Sequence, residues 1–201
     1  MNLTAATKLW RAFRGPSDIQ PRSRRAVRAT LLLCAPFFLA YTAFRLFGIR
    51  INLSSSLERG FYIVSRRPSA TLVEFCPQGD AATVSLQRGY RTPGGTCPDG
   101  GSPLLKPIAA VAGDRVEVTT NGIRVNGKLI PNSAAHLKDH RGRELSVWPT
   151  GEYIVPTGMV WVISDFNSWS FDSRYFGPIP CSLIQHRLRP LWTFPTKVPA
   201  P

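Results

Sequence analysis

The feature that most constrains this chain is an apolar run, Ala29–Ile49 (ATLLLCAPFFLAYTAFRLFGI), whose one charge, Arg45, lies close enough to the end to snorkel. Twenty-one residues at helical rise cover roughly 31 Å, the thickness of a bilayer core. Pro36 would kink such a helix, which membrane helices tolerate. Seven of the 25 Lys/Arg but only Asp18 among the acidic residues fall within residues 1–28. That asymmetry orients the N-terminus to the cytoplasm and everything after the run to the outside. A cleaved signal peptide is the alternative, with Ala40-Tyr41-Thr42 as a small-x-small site. The run is long for a signal core, so a retained anchor is the expectation. The basic stretch suits anionic lipid. No aromatic stacking motif or recognition helix supports a nucleic-acid arm, so membrane lipid is expected as a partner and nucleic acid is not.

The remaining length is enough for one sizeable core. We therefore expect a basic N-terminus (1–28), an anchor (29–49), one domain (50–194) and a frayed Pro-rich tail (195–201). The domain reads as mainly β. Segments 60–66, 71–75, 104–113, 152–164 and 183–194 have strand character separated by Gly/Pro punctuation. The segment RVEVTTNGIRVNGKLI (115–130) carries two Asn-Gly pairs, Asn121-Gly122 and Asn126-Gly127, and predicts a three-strand meander with two type I′ turns. Met159 and Trp161 read as core. Cys76 and Cys97 flank a Gly/Pro-rich excursion in what should be an oxidising compartment. A disulfide there is expected to contribute about 3 kcal/mol through loop entropy. Cys181 offers an alternative partner.

The common catalytic machineries are missing. There is no P-loop, no G-x-G-x-x-G, no H-E-x-x-H and no G-x-S-x-G elbow, so neither a cofactor nor a metal site is expected. His136 and His140 are four apart but lack a third ligand. His186 is the one reasonable base for a Ser-His-Asp arrangement. Lysine is the other base that activates serine, and it must be neutral to do so. Burial among apolar groups lowers its proton affinity. Lys106, in PLLKPIAAVAG, has no charged neighbour and meets that requirement. The same composition fits a strand-edge lysine whose head reaches water.

These residues carry a resemblance. LLKPIAAVAGDRV resembles the lysine segment of type I signal peptidases, with Gly113-Asp114 at the family spacing from Lys106. SDFNSWSFDSRYFGPIP (164–180) resembles the family block G-D-N-x-x-N-S-x-D-S-R-Y-x-G. It matches at Asp165, Ser170, Asp172, Ser173, Arg174, Tyr175 and Gly177, and departs at Ser164, Phe166 and Trp169. Upstream, Asn52, Ser54, Ser56, Gly60 and Tyr62 match the N-x-T-x-S-x-P-x-G-x-Y pattern of the conjugal transfer branch, the TraF peptidases, with Glu58 where proline is expected.

The resemblance implies a signal peptidase-like antiparallel β-sheet domain preceded by one N-terminal transmembrane helix. It implies Ser56 as nucleophile and Lys106 as general base. Ser54 and the Ser56 N–H would form the oxyanion hole, since in an extended strand residues two apart face one side. Ser170, with Asp172 and Arg174, would support the lysine; for the last two a structural salt bridge is nearly the same reading. A substrate would dock extended beside Leu104 and Leu105. Without the downstream blocks the serine run would read as a polar linker.

The implied task is maturation of a pilin precursor at the bacterial inner membrane, with the catalytic domain in the periplasm and other conjugative transfer proteins as partners. The acyl-enzyme would be resolved by water or by the precursor's own amine, which gives a cyclic product. General leader peptidase action is the alternative. A non-catalytic, membrane-anchored pilus assembly component is a second alternative, against which the retention of both Ser56 and Lys106 argues.

Overall fold

A computed structural model describes residues 21–195; residues 1–20 of the basic N-terminus and residues 196–201 of the tail lie outside the described residues. The chain divides into two units, Met1–Leu46 and Phe47–Pro201. In the first, helix α1 (Pro21–Leu46) covers most of the apolar run, with Pro36 inside it. The hydroxyls of Thr30 and Thr42 donate to carbonyls four residues back, at 3.0 and 2.7 Å, which satisfies them within the helix. Among the described residues no helix is long and apolar enough to cross a membrane.

The second unit is mainly β, and every strand pairing is antiparallel. Its strands are β1 (Ile49–Asn52), β2 (Arg59–Val64), β3 (Leu72–Phe75), β4 (Leu104–Ala110), β5 (Arg115–Thr119), β6 (Gly122–Val125), β7 (Lys128–Leu129), β8 (Gly151–Ile154), β9 (Met159–Val162), β10 (Ile179–Pro180) and β11 (Ile184–Phe194). They form a seven-stranded sheet, ordered β1-β2-β11-β3-β4-β9-β10, and a four-stranded sheet, ordered β7-β6-β5-β8. The alternation of side chains along β9 explains why its sequence, MVWV, is continuously apolar. Val160 and Val162 face a core shared with Val73, Phe75, Leu104 and Ile179. Trp161, followed by Ile163, faces a second core built on Val116, Val118 and Ile123, against which Met159 also packs. Full burial of such a side chain stabilises the fold by roughly 1.5–3 kcal/mol.

The meander over 115–130 forms, but only one of its turns is type I′. Asn126 and Gly127, at φ 49° and 80°, are the two central residues of the β6–β7 turn. The β5–β6 turn is centred on Thr120-Asn121 instead, because Thr119 pairs with Gly122. Gly122 opens the next strand at φ 131°, and Asn121 stays out of the left-handed region. The Ser133 hydroxyl would lie 2.8 Å from a Cβ on Gly122, so a close approach, rather than a turn, requires this glycine.

The Gly/Pro-rich excursion is closed by the Cys76–Cys97 disulfide across 21 positions, and Cys181 is free and exposed. It also contains a helix that the composition did not predict, α2 (Gly79–Gln87). Arg91, whose side chain has no solvent exposure, organises it. Its guanidinium donates to Ser85 Oγ, to the carbonyls of Ala82 and Ser102 and to the Asp99 carboxylate.

Candidate active site

Lys106 owes its burial to strand register. Leu104, Lys106 and Ile108 alternate onto one face of β4, and Val73 and Phe75 stand opposite Lys106 and Leu104 on β3. The lysine stem therefore lies along an apolar surface and the residue is 2% exposed. Its Nζ donates to Ser56 Oγ at 2.5 Å and to Ser170 Oγ at 2.7 Å, and Ser170 Oγ donates to Ser56 Oγ at 3.3 Å. Burial lowers its pKa to about 8; the Asp172 carboxylate pulls the other way and Arg174 adds to the lowering. No carboxylate hydrogen-bonds to the amine among the described residues.

Ser56 sits in a turn between β1 and β2, and this corrects the extended-strand argument. Residues 54–57 bend, so Ser54 and Ser56 do not share a side by alternation. Ser54 is exposed, and its hydroxyl donates to Asn52 Oδ1 at 2.7 Å, so its one proton is already committed. To serve an oxyanion, Ser54 has to exchange that partner. Asn52, 6% exposed, is the organiser that sequence reasoning left without a role. Its Nδ2 donates to the carbonyls of Ser54, Leu57 and Glu58 at 3.3, 3.3 and 3.0 Å. Tyr62 Oη also donates to the Glu58 carbonyl, at 2.7 Å. Side-chain bonds thus hold the bend at the position where the pattern has proline.

The third block folds back over both residues. Asp172 caps the short helix α3 (Ser173–Phe176) by accepting from the Arg174 N–H at 3.2 Å. The Asp172 and Arg174 side chains form a fully buried pair, Nη2 to Oδ2 at 2.7 Å. Arg174 donates further to the carbonyls of Asn132, Ser164, Asn167 and Ser168. The pair therefore holds the loop backbone that carries Ser170; it hydrogen-bonds neither to Ser170 nor to Lys106 among the described bonds. Gly113 and Asp114 are turn residues: Asp114 Oδ2 accepts from the Val111 N–H at 2.8 Å. Gly177 takes φ 69° with the Trp148 ring 2.5 Å from where a Cβ would lie, so no side chain fits there.

Trp169, one residue before Ser170, is stacked between His136 and His140, with ring centroids 3.8 and 3.9 Å away. The four-residue spacing of the histidines therefore serves an aromatic sandwich formed by a loop, which neither a helix nor a metal reading anticipates. Ser54, Ser56, Leu104, Leu105, Lys106 and Trp169 all line one cleft of about 730 Å3. Leu105 is half-buried there, whereas Leu104 is 7% exposed and belongs mainly to the core. His186 does not join a serine. Its Nδ1 lies 3.1 Å from Glu74, which also pairs with Arg50 at 3.1 Å.

The family described as "Signal peptidase, peptidase S26" matches residues 23–192. The chain is 37% identical over 169 residues to "Plasmid transfer protein TraF" of Escherichia coli, covering 83% of this chain and 91% of the relative. It is 44% identical over 142 residues to "Probable conjugal transfer protein TraF" of Sinorhizobium fredii, covering 68% and 73%. With "Conjugal transfer protein TraF" of Agrobacterium tumefaciens it shares 37% identity over 175 residues, covering 83% and 97%. Because the family match spans residues 23–192, most of the chain, and the TraF relatives share 37–44% identity over most of their length, the chain belongs to the signal peptidase, peptidase S26, family.

Proposed function

We propose that this protein is a membrane-anchored serine endopeptidase of a conjugative transfer system that matures a pilin precursor. One observation carries the reading: a buried amine, its pKa lowered to about 8, lies between the hydroxyls of Ser56 and Ser170. Neutral Lys106 takes the Ser56 proton as Oγ bonds to the scissile carbonyl carbon. The Ser56 N–H and the Ser54 hydroxyl stabilise the oxyanion, a donor of this kind contributing roughly 3 kcal/mol. The Lys106 ammonium then protonates the leaving amine. The acyl-enzyme is released by water, giving a linear product, or by the precursor's own N-terminal amine, giving a cycle. The names of the relatives supply the transfer context.

The outer edge of β4 favours an extended substrate. β9 pairs with β4 only from Ile108 onward, which leaves Leu104-Leu105 free to accept another strand. Anchoring is supported by the apolar surface of α1, where Leu31, Leu32, Leu33, Phe37, Phe38 and Leu39 are 63–78% exposed. Ile51, Leu53 and Trp192 are exposed apolar residues near the serine turn, as suits a site at a membrane surface. The Cys76–Cys97 disulfide favours the periplasm.

The test is conversion of the pilin precursor of its own transfer system by the full-length chain, followed by mass spectrometry. Ser56→Ala and Lys106→Ala should each reduce conversion by about a thousandfold or more. Conversion by both variants at the wild-type rate would remove the enzymatic reading. A product lighter than the linear one by one water assigns the amine as acceptor.

A further inference from the structure

The turn that carries Ser56 is held by more than Asn52. Carbonyls 54 to 58 each accept from a side chain, and two of those donors come from the loop before Ser170. Asn167 Nδ2 donates to the Ser55 carbonyl at 3.1 Å. Ser164 Oγ donates to the carbonyl of Ser56 itself, at 2.5 Å. Ser164 stands where the signal peptidase pattern has glycine, which has no hydroxyl to give. Its single proton has one destination, because the same oxygen accepts from the N–H groups of Phe166 and Asn167 at 3.3 and 3.4 Å. Ser164 is fully buried. Its N–H donates to Asp172 Oδ2 at 3.0 Å and its carbonyl accepts from Arg174 Nη2 at 3.3 Å. The hydroxyl is therefore mounted on the Asp172–Arg174 pair.

A trans peptide fixes C=O and the next N–H in one plane, pointing opposite ways. The Ser55 carbonyl and the Ser56 N–H belong to one such plane, and the Ser56 carbonyl belongs to the next. Holding both carbonyls from the loop side sets both planes that flank Ser56. We infer that Ser164 and Asn167 are positioning residues that orient the nucleophile, turning Ser56 Oγ onto Lys106 and the Ser56 N–H into the cleft. The inference rests on the Ser56/Lys106 reading and deepens it, since it couples the buried ion pair to the nucleophile through a hydroxyl that a family-pattern glycine would lack.

The test needs no substrate. In the full-length chain carrying Ser56→Cys, the rate of alkylation by iodoacetamide is followed against pH, with peptide-resolved mass spectrometry separating the introduced thiol from the exposed Cys34 and Cys181. A thiol beside the lysine ammonium reacts with a lowered midpoint, and Lys106→Met should raise that midpoint by about one pH unit or more. Ser164→Ala and Ser164→Gly should each raise it by about half a unit, and adding Asn167→Ala should raise it further. Both Ser164 variants keep the backbone bonds to Asp172 and Arg174, so their melting temperatures should stay within a few degrees of the parent. If Lys106→Met moves the midpoint and neither Ser164 variant does, the positioning role is overturned while the dyad stands. If Lys106→Met leaves it in place, the dyad falls and the inference with it.

Discussion

Lys106 on β4 and Arg174 on α3 are both buried cations, 2% and 1% exposed, and both reach the same loop, yet their surroundings differ in kind. Arg174 has a carboxylate partner and four backbone carbonyls. Lys106 has two hydroxyls. Charge is retained where the protein replaces the hydration that burial removes, and it becomes labile where the replacement is incomplete. Accordingly the Arg174 pKa is raised, although burial alone would lower it, while burial lowers that of Lys106 to about 8. One region uses a cation as scaffold and the other keeps an amine close to neutrality.

Substitution tests the contrast most severely on the scaffold side. Arg174→Met leaves Asp172 buried and unpaired, so chemical denaturation should show a loss of about 3–5 kcal/mol. A loss below one would mean that the pair is dispensable and the two cations are not opposites. The lysine should behave in reverse. Its folded-state pKa lies below its unfolded value of 10.5, so at pH 7 the folded state holds a disfavoured charge. That penalty is fully present below about pH 8 and fades as the pH rises to about 10.5. Lys106→Met should therefore be more stable than the parent by about 3 kcal/mol at pH 7, a difference that shrinks toward zero by pH 10.5. A variant less stable than the parent at pH 7 would contradict the strained-amine picture.

Catalysis should carry the same signature. In the proposed mechanism only the neutral amine accepts the Ser56 proton, so the rate of precursor conversion should climb about tenfold per unit below pH 8 and level off above it. A profile flat from pH 6 to 10 would show that the base is another group. The smallest effect expected is at the shared hydroxyl. Ser170→Ala removes one of the two partners of Nζ and should slow conversion about tenfold, as the loss of one hydrogen bond implies. If Arg174→Met at permissive temperature slows conversion no more than Ser170→Ala, the loop tolerates loss of its scaffold.

Much of the lysine region was legible in the chain. An apolar strand with one lysine and no carboxylate nearby allowed a buried, labile amine and equally a strand-edge lysine reaching water; the register of β4 against β3 decided for burial. Trp161 was read as a core strand residue and is 1% exposed, and the Asn126-Gly127 turn followed from backbone chemistry. The disulfide pairing was an expectation that the structure bears out. By contrast Asn121-Gly122 misled, since the register of β5 against β6 moved the turn by one residue. The serine triplet misled too, because a bend replaced the strand.

The sequence alone determined the mainly β character, the apolar N-terminal run and the chemistry available at position 106, since each is set by residues close together along the chain. Tertiary structure decided that Ser164 would reach a carbonyl 108 positions away, that two histidines would enclose Trp169 and that Asn52 would organise its own turn. Those contacts are directional bonds and stacks, most of them between distant segments, and they have no period along the chain; only the packing of the sheets brings their partners within reach.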